Sequence, residues 1–222
     1  QELTPGSSPF YKLTHSGTGT LQLAGDLLVT NTFAQSAGNF DSGIHSIDAD
    51  TVTLSGGDFT APSTTFTVSG NMNLTNLNSF DPNGGTVAFN GDSLLTSGGL
   101  PLGSVQIGTD SEGGSLTLAD NAEFRGDLTV KKGGDTTLSF ENLTLTFSGA
   151  SFDLTNLDAL TSTGSTIIFS GSDAQHFIPG TVAGTNVFSR IQIENISGSV
   201  AGKGVYFDKA FTTTDFIDIT SG

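Results

Sequence analysis

The chain has 222 residues, 35% of them hydrophobic, with 17 Phe, no Trp and no Cys, and its 22 acidic against 7 basic side chains give a net charge of −15. That charge repels the phosphates of nucleic acid, the missing cysteines exclude disulfide staples and thiolate-held metal, and no stretch approaches the roughly eighteen apolar residues of a membrane span. The 30 Gly, the many Thr and Ser and the scarcity of Lys, Arg and Glu disfavour helix and favour strands joined by tight turns.

Gln1 to Gly6 (QELTPG) has neither the basic start nor the apolar run of a secretory signal. It matches Gln175 to Gly180 (QHFIPG), and Phe10 to Leu13 matches Phe188 to Ile191, so the chain begins part-way through a repeat, as expected of a fragment or of a form cut from something longer. Leu21 to Val29 follows, then a looser region with Phe33, Phe40 and Ile44. Thr51 to Leu54 and Thr65 to Val68 alternate Thr with apolar residues, the period-two pattern of a half-buried strand. Past Gly91, a turn-rich segment with Leu94, Leu95 and Leu100 reaches Val105 to Ile107, whose partner is Ile191 to Ile193. Leu116 to Leu118, Leu128 to Val130, Leu138 to Phe140 and Leu143 to Phe147 read as further strands, and Val205 to Phe207 and Phe216 to Ile219 close the last copy.

The strongest internal match joins Asn73 to Gly91 (NLTNLNSFDPNGGTVAFNG) with Asp153 to Gly171 (DLTNLDALTSTGSTIIFSG), 80 residues on without a gap and with eight of nineteen positions identical. A fixed-period match is the signature of a repeat architecture. It divides the single domain, 1–222, into copies of about 80–90 residues: 1–83 in part, 84–163, and 164–222 in part. A pair of β-sandwiches would want longer strands and Asn-Gly hairpins. Short strands with conserved spacing and loop-confined length changes fit a parallel β-helix instead. The expected fold is therefore all-β, a β-solenoid. Nine to eleven coils at about 4.8 Å would make a rod roughly 45–50 Å long. Phe89 and Phe169, in equivalent slots, are expected to point inwards on the same internal face.

The pattern G-T-V-x-F-x-G, a spacer, F-x-x-[IL]-x-[IL] and G-D-L-x-V is carried by Gly85 to Gly91 and Ser165 to Gly171, Phe10 to Leu13 and Phe188 to Ile193, and Gly25 to Val29 and Gly126 to Val130. It resembles the repeats of long bacterial surface proteins of the filamentous-haemagglutinin and autotransporter-passenger type. The resemblance implies a parallel β-helix, secreted or displayed at the cell surface, that acts as adhesin, stalk or coat.

Arg125-Gly126-Asp127 is the tripeptide that integrins recognise, but Gly25-Asp26-Leu27 fills the same slot after Ala24, so Gly-Asp-Leu reads as a turn into a strand. Asp81-Pro82-Asn83-Gly84 offers oxygens at alternate positions, as Ca²⁺ loops do, and equally fits a type I turn. Its counterpart Thr161 to Gly164 needs no Asp, which favours the turn. Asp48 with Asp50 and Asp110 with Glu112 are candidates for weak surface Ca²⁺; a solvated acidic face is the plainer reading. No other cofactor is expected.

A β-helical polysaccharide lyase needs a placed base, and a hydrolase needs converging carboxylates. The Lys and Arg are scattered, no His lies beside an acidic cluster, and Asp215 and Asp218 sit three apart on a strand and face opposite sides. Thr pairs such as Thr51/Thr53 and Thr144/Thr146 are too interrupted for an ice-binding grid. His15, His45 and His176 read as surface or turn residues, and the sequons at Asn73, Asn142 and Asn195 carry little weight in a bacterial chain. The expected function is a non-catalytic structural or adhesive segment of an extracellular bacterial solenoid, with a carbohydrate-active β-helix enzyme as the alternative. The expected partners are flanking repeats of a longer parent or further copies stacked end to end, with host or cell-surface ligands besides.

Overall fold

The computed structural model describes residues 1–197 and 202–220. Among these there is no helix, and the strands pair in parallel throughout, stacking into a β-solenoid of about ten turns. Three lines of strands run along the rod. One begins with Glu2–Leu3, Thr20–Leu23, Asn39–Asp41, Asp58–Thr60 and Ser79–Asp81. It resumes, after Leu102 bridges Phe124 and Gly103 packs on Pro82, with Ala122–Phe124, Thr144–Phe147, Thr166–Phe169, Val187–Ile193 and Thr212–Ile219.

The other two lines share one fifteen-stranded sheet. Leu27–Gln35 and Ile47–Leu54 are long and cross two faces, with a register shift between Val29 and Thr32. The next coil divides. Ile47, Asp48 and Ala49 pair with Thr65–Val68, while Val52 and Thr53 pair with Met72–Asn73. Ser69 and Gly70 make the new corner, where Gly70 closes against Asp50. The following coil turns at Gly91, where any Cβ would overlap the Ser69 carbonyl oxygen. In the region that reads as loose in sequence, Phe33 lies inside the strand Leu27–Gln35 and Phe40 inside Asn39–Asp41, while Ile44 stands exposed in a turn. The segment after Gly91 that reads as turn-rich contains the strand Asp92–Thr96.

The core follows from strict alternation. Twelve phenylalanines are less than 2% exposed, and eleven of them lie on eleven different strands, each pointing to the axis. Phe40, Phe59 and Phe80 stand in register and stack at 5.5 Å and 5.7 Å, with ring planes 15° and 17° apart. Phe169 instead meets Phe147, Phe152 and Phe177 edge-on or tilted at 5.3–6.0 Å.

The 80-residue repeat is real as local structure. Asn73 Oδ1 accepts the Thr75 N–H and Asp153 Oδ1 accepts the Thr155 N–H, both at 2.8 Å. The Leu77 and Leu157 N–H groups close the same turn onto the Leu74 and Leu154 carbonyls at 3.1 and 3.0 Å. Its placement corrects the expectation for Phe89 and Phe169. Both are fully buried, but Thr86–Phe89 lies in the fifteen-stranded sheet between Thr65–Val68 and Ser104–Ile107. Thr166–Phe169 lies in the second five-stranded sheet between Thr144–Phe147 and Val187–Ile193. The repeat therefore returns one face out of step. Each face asks the same of the chain, an inward apolar alternation and a polar corner, so one sequence module can occupy any of them.

Candidate functional site

The corners hold most of the side chains with chemical capacity, and the structure commits many of them to the backbone. A turn between parallel strands leaves N–H and C=O groups that must find partners. Asp26 Oδ1 accepts the Ser46 N–H, one coil on, at 2.8 Å, and this bond, with a smaller contribution from the Ser46 side chain, holds its carboxyl below the usual range. Asp120 takes the Ser97 and Gly98 N–H groups, one on each oxygen, at 2.8 Å. Asp158 Oδ2 accepts from the Thr136 N–H and hydroxyl at 2.9 and 3.1 Å.

Amides do the converse for carbonyls. Buried Gln35 Nε2 donates to the Gly38, Gly56 and Asp58 carbonyls at 3.0–3.1 Å. Buried Gln175 Nε2 donates to those of Phe147 and Gly149 at 3.1 Å.

The Arg125-Gly126-Asp127 tripeptide belongs to this system. Asp127 Oδ1 accepts the Ala150 and Ser151 N–H groups at 3.0 and 2.9 Å, and the Asp127 N–H donates to Ser104 Oγ at 3.2 Å. A Cβ on Gly126 would overlap the Ser104 backbone. Arg125 Nε reaches Glu123 Oε1 at 2.7 Å, a pair within one coil. The tripeptide lines a shallow groove of about 340 Å³ that runs over Ser148 to Ala150 and on to Asp173.

The Ca²⁺ candidates separate in the same way. Asp81 Oδ1 accepts the Asn83 N–H at 2.9 Å, and Asn83, at φ +50°, turns its amide nitrogen onto the Gly43 and Ala61 carbonyls at 3.2 and 3.1 Å. Asp81 to Gly84 is thus a coil-linking turn. Asp110 and Glu112 point apart, Asp110 to Lys131 Nζ at 3.3 Å and Glu112 to Asn90 Nδ2 at 3.2 Å. Asp48 and Asp50 lie along Ile47–Leu54, with Asp48 exposed as a residue. Enough protein still crowds the Asp48 carboxyl to raise its pKa, and the Glu112 charge adds to the effect.

His15 departs from the surface-or-turn reading, whereas His176 is at the surface as expected but carries partners there. His15 ends Phe10–His15 with its ring edge-on to Phe40 at 6.2 Å and its Nδ1 buried without a partner, and burial lowers its pKa. His176, on the outer face of Gln175–Ile178, bonds through Nδ1 to Asp208 Oδ2 at 2.9 Å and stacks on Tyr206 at 5.0 Å. This dyad is not legible in the sequence because its members are 32 residues apart. Only the coil register brings Tyr206 beside His176. Lys203 Nζ meets Asp173 at 2.5 Å at the end of the groove near the dyad. Among the described residues no three His, Cys, Asp or Glu side chains form a group that could hold a metal ion.

No family model, curated protein or solved structure matches the chain.

Proposed function

We propose that the chain is a non-catalytic structural or adhesive segment of a secreted or surface-displayed bacterial β-solenoid, assembling with flanking repeats or further copies into a filament or coat. The observation that carries this reading is the use of the polar residues. The side chains of Asp26, Asp120, Asp127, Asp158, Gln35, Asn83 and Gln175 hydrogen-bond the backbone of one coil to another. Such side chains build a stiff, polar-surfaced rod and leave few groups poised for chemistry. The net charge of −15 suits a surface that stays soluble at high density and collects cations weakly.

One observation favours the alternative, a carbohydrate-active enzyme. In the His176–Asp208 dyad a carboxylate orients an imidazole, as a general base requires, and the strand that carries it follows directly on the groove residues Ser172 to Ala174. Incubation with a panel of acidic and neutral polysaccharides, with and without Ca²⁺, separates the two. The structural reading expects no turnover. Turnover that disappears in His176→Ala would replace it with the enzymatic one.

A further inference from the structure

We propose that the uncharged sheet face running from residues 32–35 to Ala159–Thr161 is a lateral docking surface that takes the same face of a second copy of this chain, the two rods lying side by side. This rests on the structural reading above and names the surface by which copies gather into a coat. The contact runs along the flank of the rod, so it leaves each rod free to continue with further coils.

Seven strand segments stack on this face: residues 32–35 and 51–54, then Met72–Asn73, Asp92–Thr96, Gly114–Leu118, Thr136–Ser139 and Ala159–Thr161. At about 4.8 Å per coil they span roughly 30 Å. Register aligns their outward side chains into ladders. Leu94, Thr117, Ser139 and Thr161 form the middle one, flanked by Thr53, Asn73 and Thr96. In a chain with 22 acidic and 7 basic side chains, Asp92 at one margin is the only charged residue in these segments. Lys12, opposite Thr32 one coil earlier, marks where the uncharged run begins.

Charge selects the partner. Asp41, Asp58 and Asp81 stand on three neighbouring strands of the first five-stranded sheet, and Asp48 and Asp153 on the other line of the fifteen-stranded sheet. A second copy carrying the same −15 is repelled at those faces and meets no row of acids at this one. A hydroxyl both donates and accepts, so a face of Thr and Ser is complementary to itself. Leu94, 39% exposed, adds an apolar contact at the centre of the middle ladder, where protein interfaces are depleted of charge. When the two faces meet about a two-fold axis through this point, Leu94 stands against its own counterpart.

Sedimentation of the 222-residue chain across a concentration series at physiological ionic strength tests this. The parent is expected to self-associate. Leu94→Glu with Thr117→Glu sets carboxylate against carboxylate in the contact and is expected to stay monomeric, with a melting temperature within a few degrees of the parent. Thr60→Glu with Thr67→Glu adds the same charge to the other two faces and is expected to associate as the parent does. The chain has no Cys, so Leu94→Cys gives a second readout, a disulfide-linked dimer on mild oxidation. A strict monomer, association that survives the glutamates on this face, equal loss in the control pair, or no cross-link would each overturn the proposal. Retention of a neutral polysaccharide by a monomeric parent, lost in Leu94→Glu with Thr117→Glu, would also overturn it and give the face to sugar. The structural reading fails separately, on turnover of a polysaccharide.

Discussion

Asp26 and Asp127 stand at the same corner of the rod and accept equivalent bonds. Leu27 and Leu128, the residues that follow them, lie on one unbroken line of register through Ile47, Phe66, Val87 and Val105. Each carboxylate takes the backbone N–H of the next coil, Ser46 for Asp26 and Ala150 with Ser151 for Asp127. Gly-Asp-Leu is therefore a corner device used twice, and Arg125 is what turns the second use into an integrin-like tripeptide.

The first prediction follows from that equivalence. Asp127→Ala strands two backbone donors at a corner and should destabilise the fold by about 1–3 kcal/mol. Arg125→Ala breaks only an exposed pair and should stay within about 0.5 kcal/mol of the parent. Denaturant melts of the two variants check this. Attachment of integrin-bearing cells should be indifferent to Arg125→Ala; loss of attachment would restore the receptor reading.

Phe89 and Phe169 carry the second. Both are fully buried, so truncation of either to Ala should cost roughly 3–5 kcal/mol. Because they sit in different sheets of different coils, the double variant should be additive within about 0.5 kcal/mol. A melt of Phe89→Ala within a degree or two of the parent would contradict the burial, and strong non-additivity would contradict the separation.

The strand pattern, the inward Phe and the Gly-Asp-Leu corner were legible because alternation and turn chemistry are local. The face assignment was not. An 80-residue match reports that two segments share a local shape, but the coil spacing in one sheet runs from 18 residues, Thr86 to Ser104, to 30, Gln175 to Val205. Loop growth of this size moves the second copy to another face without a trace in the motif. The His176–Asp208 dyad was hidden for the same reason, since only coil length sets which outward residues become neighbours.

Asp48 gives a pH signature. Its pKa is raised in the fold, chiefly by burial and then by Glu112, so its ionised form is less favoured folded than unfolded. Its contribution to stability is then most favourable below the ordinary carboxylate value and is lost as pH rises through the raised one. Asp48→Asn should be more stable than the parent at pH 7, with the advantage shrinking towards pH 3. Thermal melts at the two pH values measure it; an equal shift at both would dissociate the effect from titration.

The Ca²⁺ candidates yield a third kind of test. Asp81, Asn83, Asp110 and Glu112 are engaged with protein partners in the arrangement described. Millimolar Ca²⁺ against a chelator should therefore shift the melting temperature by no more than an equal ionic strength of Na⁺ does. A saturable stabilisation by Ca²⁺ that disappears in Asp48→Asn or Glu112→Gln would place a specific cation on the acidic face.

The central claim is that the described residues form one continuous β-solenoid rod. Small-angle X-ray scattering of the 222-residue chain in dilute solution addresses it most directly. At about 4.8 Å per coil, ten or so coils predict a single elongated particle close to 50 Å in length with a narrow, uniform cross-section. A pair-distance distribution with two separated maxima, as from two compact beads joined by a linker, would contradict it.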